Sequence, residues 1–395
     1  MRSAQLVLAA ATAVGSVGLA AGGVAGALIA AEMTGSSTSA GVPLGAVVVG
    51  SAAGAVLISR LTRFAGRSAG LVVGYAVGAA GAALVVAAMT TSNFGVVVAG
   101  HVAIGVANAA VYLTRYAAAD AALAAARGRA LGVILTGAAV GAVAGPNLLG
   151  PSGDLAVQLG LPRLSGLYVV AVVAFPVAGA ILALFGRRAR EPVNGGLRAG
   201  TGQPPRSRPG VGTAVFVLAV TNLVMVAVMA IVPLHLVAHG HHLDVVGVVV
   251  SVHVLCMLAP APLVGWLADC AGAPLVAGTG AALIVIAGVA GALADPTSAL
   301  SLTVVLAVLG LGWCAGVVAG SVMVTDSLPG AQQWRAEGIG EMAMGVAAGF
   351  GAPLAGLVVA FGGFPALVVT TSVVSLVLLY RCLRSMRPVD ERTIS

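Results

Sequence analysis

The sequence predicts an all-α membrane protein of twelve transmembrane helices in two six-helix halves, and three observations carry that prediction. The first is composition: 59% of the residues are hydrophobic and 8% are charged, with a mean hydropathy of +1.09. No soluble domain of 395 residues could hide so much apolar surface. The second is run length. A hydrocarbon core of about 30 Å needs about 20 apolar residues per helix, which gives this chain room for about twelve spans. The third is a single internal change of texture. Between Gly186 and Gly210 the chain mixes Arg187, Arg188, Arg190, Arg198, Arg206 and Arg208 with Pro, Gly and Gln, as a flexible linker does.

Span 1 is expected over Leu6–Ala31. Arg2 followed by small residues also fits a secretory signal, but the apolar run is too long for a signal core, and many similar runs follow. Polar Gly35–Gly41 turns the chain into span 2, Val42–Ile58, and Arg60, Arg63 and Arg67 mark the loop before span 3, Ala69–Met89. Thr90-Thr91-Ser92-Asn93 leads into span 4, which runs to about Tyr116. Asp120, Arg127 and Arg129 precede span 5, Ala130–Gly150, and span 6 covers Leu164–Phe185. Beyond the linker, Val211–Asp269 holds spans 7 and 8 around the turn His239-Gly240-His241-His242-Leu243-Asp244. Pro274–Ala294, Ala299–Val324, Ile339–Phe361 and Pro365–Leu383 supply spans 9 to 12. The expected organisation is therefore a half over 1–186, a linker over 187–210, and a half over 211–395 that ends in a short polar tail.

Charge sets the topology. All 19 basic residues are Arg. With the N-terminus cytoplasmic, every one except Arg163 falls on the cytoplasmic side, as the positive-inside rule requires. Both termini are thus expected in the cytoplasm of a bacterial-type inner membrane, with the His239–Asp244 turn outside. The net charge of +7 is spread between apolar runs with no groove-reading element, so nucleic acid is not an expected partner. Cys256, Cys270, Cys314 and Cys382 lack disulfide or zinc spacing and read as free thiols. No nucleophile–base or carboxylate pair stands out, so an enzyme is not expected.

Ionisable residues inside a bilayer mark function, and here they are His101, His235 and His253. Glu341 reads as about one turn into span 11, and Arg115 and Asp120 as a pair at the inner end of span 4. Spans 7 and 8 carry the most distinctive spacing, Met225-x-x-x-Met229 and His253-x-x-x-Met257. Residues four apart share a helix face. Counted from His241, Met229 and His253 are each 12 positions away, and Met225 and Met257 are each 16. On antiparallel helices the two stripes reach matching depths. Thioethers with an imidazole suit a soft ion such as Cu(I) and suit Mg or Ca poorly; Met is equally ordinary packing.

Two six-helix halves joined by a basic linker resemble the major facilitator superfamily. That family carries G-x-L-x-D-R-x-G-R after helix 2 and often a weaker copy after helix 8. Here the first copy reads Ser59-Arg60-Leu61-Thr62-Arg63-Phe64-Ala65-Gly66-Arg67, with Arg63 where the acid belongs; the second reads Gly265-Trp266-Leu267-Ala268-Asp269-Cys270-Ala271-Gly272, without either Arg. The resemblance implies a conformational latch at Leu61, Arg63, Gly66, Arg67, Gly265, Asp269 and Gly272, with acid and base split between the halves. On span 5, Gly141, Gly145 and Pro146 resemble the glycine-proline pattern of family antiporters. The same spacing at Gly70, Gly74 and Gly78 makes packing and a helix bend the simpler reading.

Within the superfamily, the Met and His motifs are similar to those of CcoA-like copper importers, a bacterial branch. Tyr116-Ala117-Ala118-Ala119-Asp120 and Gly310-Leu311-Gly312-Trp313 add to the likeness without specifying copper. The resemblance implies alternating access. Cu(I) would meet His239, His241 and His242 outside and then pass to Met225, Met229, His253 and Met257. Copper would be the transported ion, with no prosthetic group, in a monomer surrounded by lipid. Two other readings stand beside it: a carrier or efflux protein for a small organic solute or drug, proton-coupled or not, and a non-transporting membrane sensor or assembly factor.

Overall fold

Helix boundaries fall where apolar runs meet Gly, Pro or a capping side chain. The computed structural model describes residues 2–22, 24–36, 39, 41–185, 210–295, 298–328 and 331–386, and every regular element among them is helical. The first group is α1 (Arg2–Leu19), α2 (Val24–Thr34), α3 (Val42–Ala65), α4 (Arg67–Thr90), α5 (Phe94–Asp120), α6 (Arg127–Gln158) and α7 (Gly166–Phe185). The second is α8 (Val211–Ala238), α9 (Leu243–Leu258), α10 (Ala261–Ala271), α11 (Ala273–Leu293), α12 (Ala299–Ser327) and α13 (Ala331–Ser385). The expected linker lies outside the described residues. Among those described, ten helical stretches are long and apolar enough to cross a membrane, and the last of them, Gln332–Ser385, holds two helices meeting at Gly363. With α6, whose 32 residues also exceed a bilayer core, these make twelve spans.

Several boundaries differ from expectation for local reasons. Span 1 is α1 and α2 with a 3-10 turn at Ala20–Gly22 between them, where Gly22 weakens helix propagation. Span 8 is α9 and α10, because Pro260 has no N–H to continue the ladder. Span 11 begins at Ala331, eight residues before Ile339. The polar residues that looked like loop form the first turns of a helix with one buried face: Gln333 and Glu337 are buried, Gln332 and Arg335 exposed. Asn93 caps α5 by accepting from the Val96 N–H at 3.2 Å. Inside the spans, hydroxyls of Thr62, Thr114, Ser321, Thr325 and Ser375 donate to carbonyls one turn back, which satisfies them without water.

Because the spans alternate in direction, the end of α7, the start of α8 and the turns at Gly66, 121–126 and Gly272 share one side, called here the linker face. Each half packs on itself: α1 on α6 and α7, and α3 and α4 on α5, and likewise α8 on α13, α11 on α12 and α13, and α9 on α12. The halves meet chiefly through α3 on α13 and α6 on α10. At the second contact a Cβ on Gly265 would lie 2.0 Å from the Gly128 carbonyl oxygen, so only glycine permits this backbone approach.

Candidate functional site

His253 is 1% exposed and stands on α9 where Gly310 lets α12 come close; a Cβ at Gly310 would meet the His253 carbonyl oxygen at 2.7 Å. The His253 Nδ1 donates to the Leu306 carbonyl at 2.7 Å, which leaves Nε2 as a buried acceptor with no hydrogen-bond partner among the described residues. A carbonyl accepting from the far ring nitrogen is how proteins orient an imidazole that ligates through the other. Met257 lies one turn along the same face, half-buried. Met225 and Met229 lie half-buried on α8 against the core. α9 rests mainly on α12, and α8 on α13 and α12, with slight direct contact between α8 and α9. The two motifs therefore occupy separate packing faces, His253 and Met257 on one and Met225 and Met229 on the other.

Of the outer histidines, His239 closes α8 and its Nδ1 donates to the His235 carbonyl at 2.8 Å. Gly240 takes φ +83°, and His242, exposed, begins α9. His241 is half-buried in the same turn. His235 joins this group from one turn below. Its ring lies 4.3 Å from that of His239, stacks on Phe364 at 4.3 Å, and carries an Nε2 without a hydrogen-bond partner among the described residues. His101 is an ordinary buried contact within the first half, between the Val97 carbonyl and the Tyr168 hydroxyl.

The strongest electrostatics lie elsewhere, at the seam between the halves. Arg67 forms ion pairs with Asp120 at 2.6 Å and with Glu337 of the other half at 2.8 Å, and the Gln333 amide donates to both carboxylates. Arg115, fully buried, pairs with Glu341 across the seam, and its Nε donates to the Ser321 hydroxyl at 3.0 Å. Arg127 pairs with Asp326 at 2.5 Å. Asp269 accepts from the backbone N–H groups of Gly128 at 2.7 Å and Arg129 at 2.9 Å. Thus α6, which begins at Ala126 without a cap of its own, is capped by a carboxylate from the other half. Among the described residues the hydrogen bonds and ion pairs between the halves gather toward the linker face, the deepest being Thr136 to the Leu258 carbonyl at 3.3 Å.

The expected Arg115–Asp120 pair does not form. Five residues apart on one helix, the two side chains point well away from each other, so Asp120 meets Arg67 while Arg115 faces Glu341. Glu341 lies about three turns into its helix rather than one, because α13 starts at Ala331. Of the seven residues expected in latch loops, Arg67, Gly265 and Asp269 touch groups that join the halves. Gly66 and Gly272 take φ +86° and +98° and end α3 and α10 in matching turns, each N–H returning to a carbonyl at 3.1 Å. These conformations require glycine. Leu61 is half-buried late in α3; Arg63 is exposed, its guanidinium 5.7 Å from the Phe64 ring centre. On α6, a Cβ at Gly141 would meet the Ser16 backbone of α1 at 2.2 Å, a packing contact, and the helix runs without interruption through Gly145 and Pro146. The four-residue spacing of Gln333, Glu337 and Glu341 is the sequence signal that places three polar residues on one face.

Residues 213–395 match the family model described as Major Facilitator Superfamily. The chain is 32% identical over 377 residues to YdeG of Bacillus subtilis, an uncharacterised MFS-type transporter, covering 92% of this chain and 87% of that protein. It is 25% identical over 330 residues to the riboflavin transporter RfnT of Brucella anthropi, covering 81% and 79% of the two chains. Among solved structures, the human organic anion transporter MFSD10 superposes with a TM-score of 0.74 at 14% identity, over 96% of this chain and 99% of that one.

Proposed function

The chain belongs to the major facilitator superfamily of membrane transporters, and from that premise we propose that it is an alternating-access importer of Cu(I), working as a monomer in a bacterial inner membrane. The observation that carries the copper reading is His253. A fully buried imidazole with its Nδ1–H committed to a backbone carbonyl, and its Nε2 lone pair unpartnered, is a ligand oriented for a soft cation. Met257 follows it on α9, and in this proposal Met225 and Met229 supply thioethers from α8, on whose separate packing face they lie. Neutral ligands of this kind bind Cu(I) without trapping it behind fixed charge.

In this proposal the linker face is cytoplasmic, as the distribution of Arg favours, and both termini lie there. With the seam closed on that side, the ion enters from outside past His239, His241 and His242, with His235 one turn below. It moves onto the Met and His side chains and leaves when the two halves part at the seam. Cellular copper under copper limitation tests this. Met229→Ala and His253→Ala should each lower accumulation to the level of cells lacking the protein, at unchanged protein abundance. Wild-type uptake in both variants would sink the copper reading.

The likeness to a riboflavin transporter favours a second reading, an organic solute as the cargo, with Met and His as lining. Thermal unfolding of purified protein with Cu(I), Zn(II) and riboflavin separates the two: copper import predicts stabilisation by Cu(I) that is lost in His253→Ala, and the organic reading predicts stabilisation by riboflavin in both proteins.

A further inference from the structure

The last two turns of α13 carry two cations that the seam does not use. Val373, Leu376, Val377, Tyr380 and Leu383 are exposed along the second helix of α13, as on the face that a membrane span turns to hydrocarbon. Arg384 continues that face one turn beyond Tyr380, with Arg381 beside it, and both are exposed. Their charges rest on rings. The Arg381 guanidinium lies 4.6 Å from the centre of the Phe216 ring of α8, and that of Arg384 lies 5.4 Å from the ring of Tyr380. Phe216 stands in the second turn of α8 and Arg381 near the end of α13, so the two helix ends meet on the linker face. That is the level where hydrocarbon gives way to headgroups and where an exposed Tyr is at home.

Neither guanidinium has a carboxylate partner among the described residues. The acids described on the linker face are engaged at the seam: Asp120 and Glu337 with Arg67, Asp326 with Arg127, and Asp269 with the start of α6. A guanidinium laid on a ring keeps its N–H edge free, and two of them within one turn match the oxygens of a phosphodiester. A zwitterionic headgroup would also bring an ammonium, for which this corner offers no uncommitted carboxylate among the described residues. We propose that Arg381 and Arg384, supported by the rings of Phe216 and Tyr380, bind the phosphate of an anionic phospholipid such as phosphatidylglycerol in the leaflet at the linker face. Its acyl chains lie along the exposed face of α13, and basic corners between spans are where such headgroups lodge. The site depends on the chain spanning a membrane and not on what it carries.

Native mass spectrometry of the full-length protein, titrated in detergent with phosphatidylglycerol or phosphatidylcholine, tests this. Wild type should retain phosphatidylglycerol well above phosphatidylcholine. Arg381→Gln and Arg384→Gln should each weaken that retention by about fivefold, and the double variant should bring it down to the level of phosphatidylcholine. Arg129→Gln/Arg335→Gln removes the same charge from exposed positions on the same face and should leave retention unchanged. Thermal unfolding in lipid-free detergent should be alike in all of these proteins. Where Arg381→Gln unfolds early, Arg384→Gln decides alone, since its ring contact lies within α13. Equal phosphatidylglycerol retention in wild type and the Arg381→Gln/Arg384→Gln double variant overturns the proposal. An equal fall in Arg129→Gln/Arg335→Gln also overturns it, because a diffuse positive field would then suffice. So does displacement of the lipid by equimolar glycerol phosphate, because the site would then read a soluble phosphate.

Discussion

The seam at the linker face and the Met/His faces of spans 7 and 8 are built on opposite principles. At the seam, Arg67, Arg115, Arg127 and Asp269 each bond across or beside the boundary, and glycines bring backbones together. Around Met225, Met229, His253 and Met257, the one side-chain hydrogen bond made by these four among the described residues is that of His253 to the Leu306 carbonyl, and the two helices barely touch. A carrier needs both. A state must be held closed by interactions specific to it, while the cargo site must exchange ligands cheaply. Substitutions at the seam should therefore change stability and closure, and substitutions at the Met/His faces should change transport alone.

The largest effect is expected for Arg115→Leu. Removing one partner of a buried pair leaves Glu341 uncompensated, at a cost of about 3–5 kcal/mol to the closed form. Thermal unfolding should show a large loss that Arg115→Leu/Glu341→Leu recovers; equal losses in single and double variants would mean that the bridge does not act as a pair. Asp269→Ala should cost less, about 0.5–2 kcal/mol, because it uncaps α6 while the Gly128–Gly265 contact remains. Protease access to the 121–126 turn should rise with it. Met225→Leu preserves volume and should cost under about 1.5 kcal/mol while lowering copper accumulation. A variant that loses stability as much as transport would show that Met225 is core packing.

The fold was legible because hydropathy and Arg placement act over twenty residues at a time and tolerate local error. The break at Pro260 departs from the expected continuous span 8, although its cause is local, since proline lacks a donor wherever it stands. The seam was less so. Arg115 and Asp120 look like neighbours in sequence, and only helical phase sends them to different partners. Glu337 reads as loop until the helix is seen to begin at Ala331, because the buried face of its first turns is itself polar, carrying Gln333 and Glu337. For the Met/His motifs the four-residue spacing puts each pair on one helix face, but the two faces pack separately where the stripes were expected opposite each other. That His253 keeps a bare Nε2 depends on the Leu306 carbonyl, 53 residues away, and no local pattern contains that.

Flux of Cu(I) into proteoliposomes holding a luminal Cu(I) chelator tests the central claim most directly. The account predicts saturable uptake that zinc does not compete for and that His253→Ala abolishes at equal amounts of reconstituted protein. Copper flux that is equal in wild type, His253→Ala and empty liposomes would contradict it.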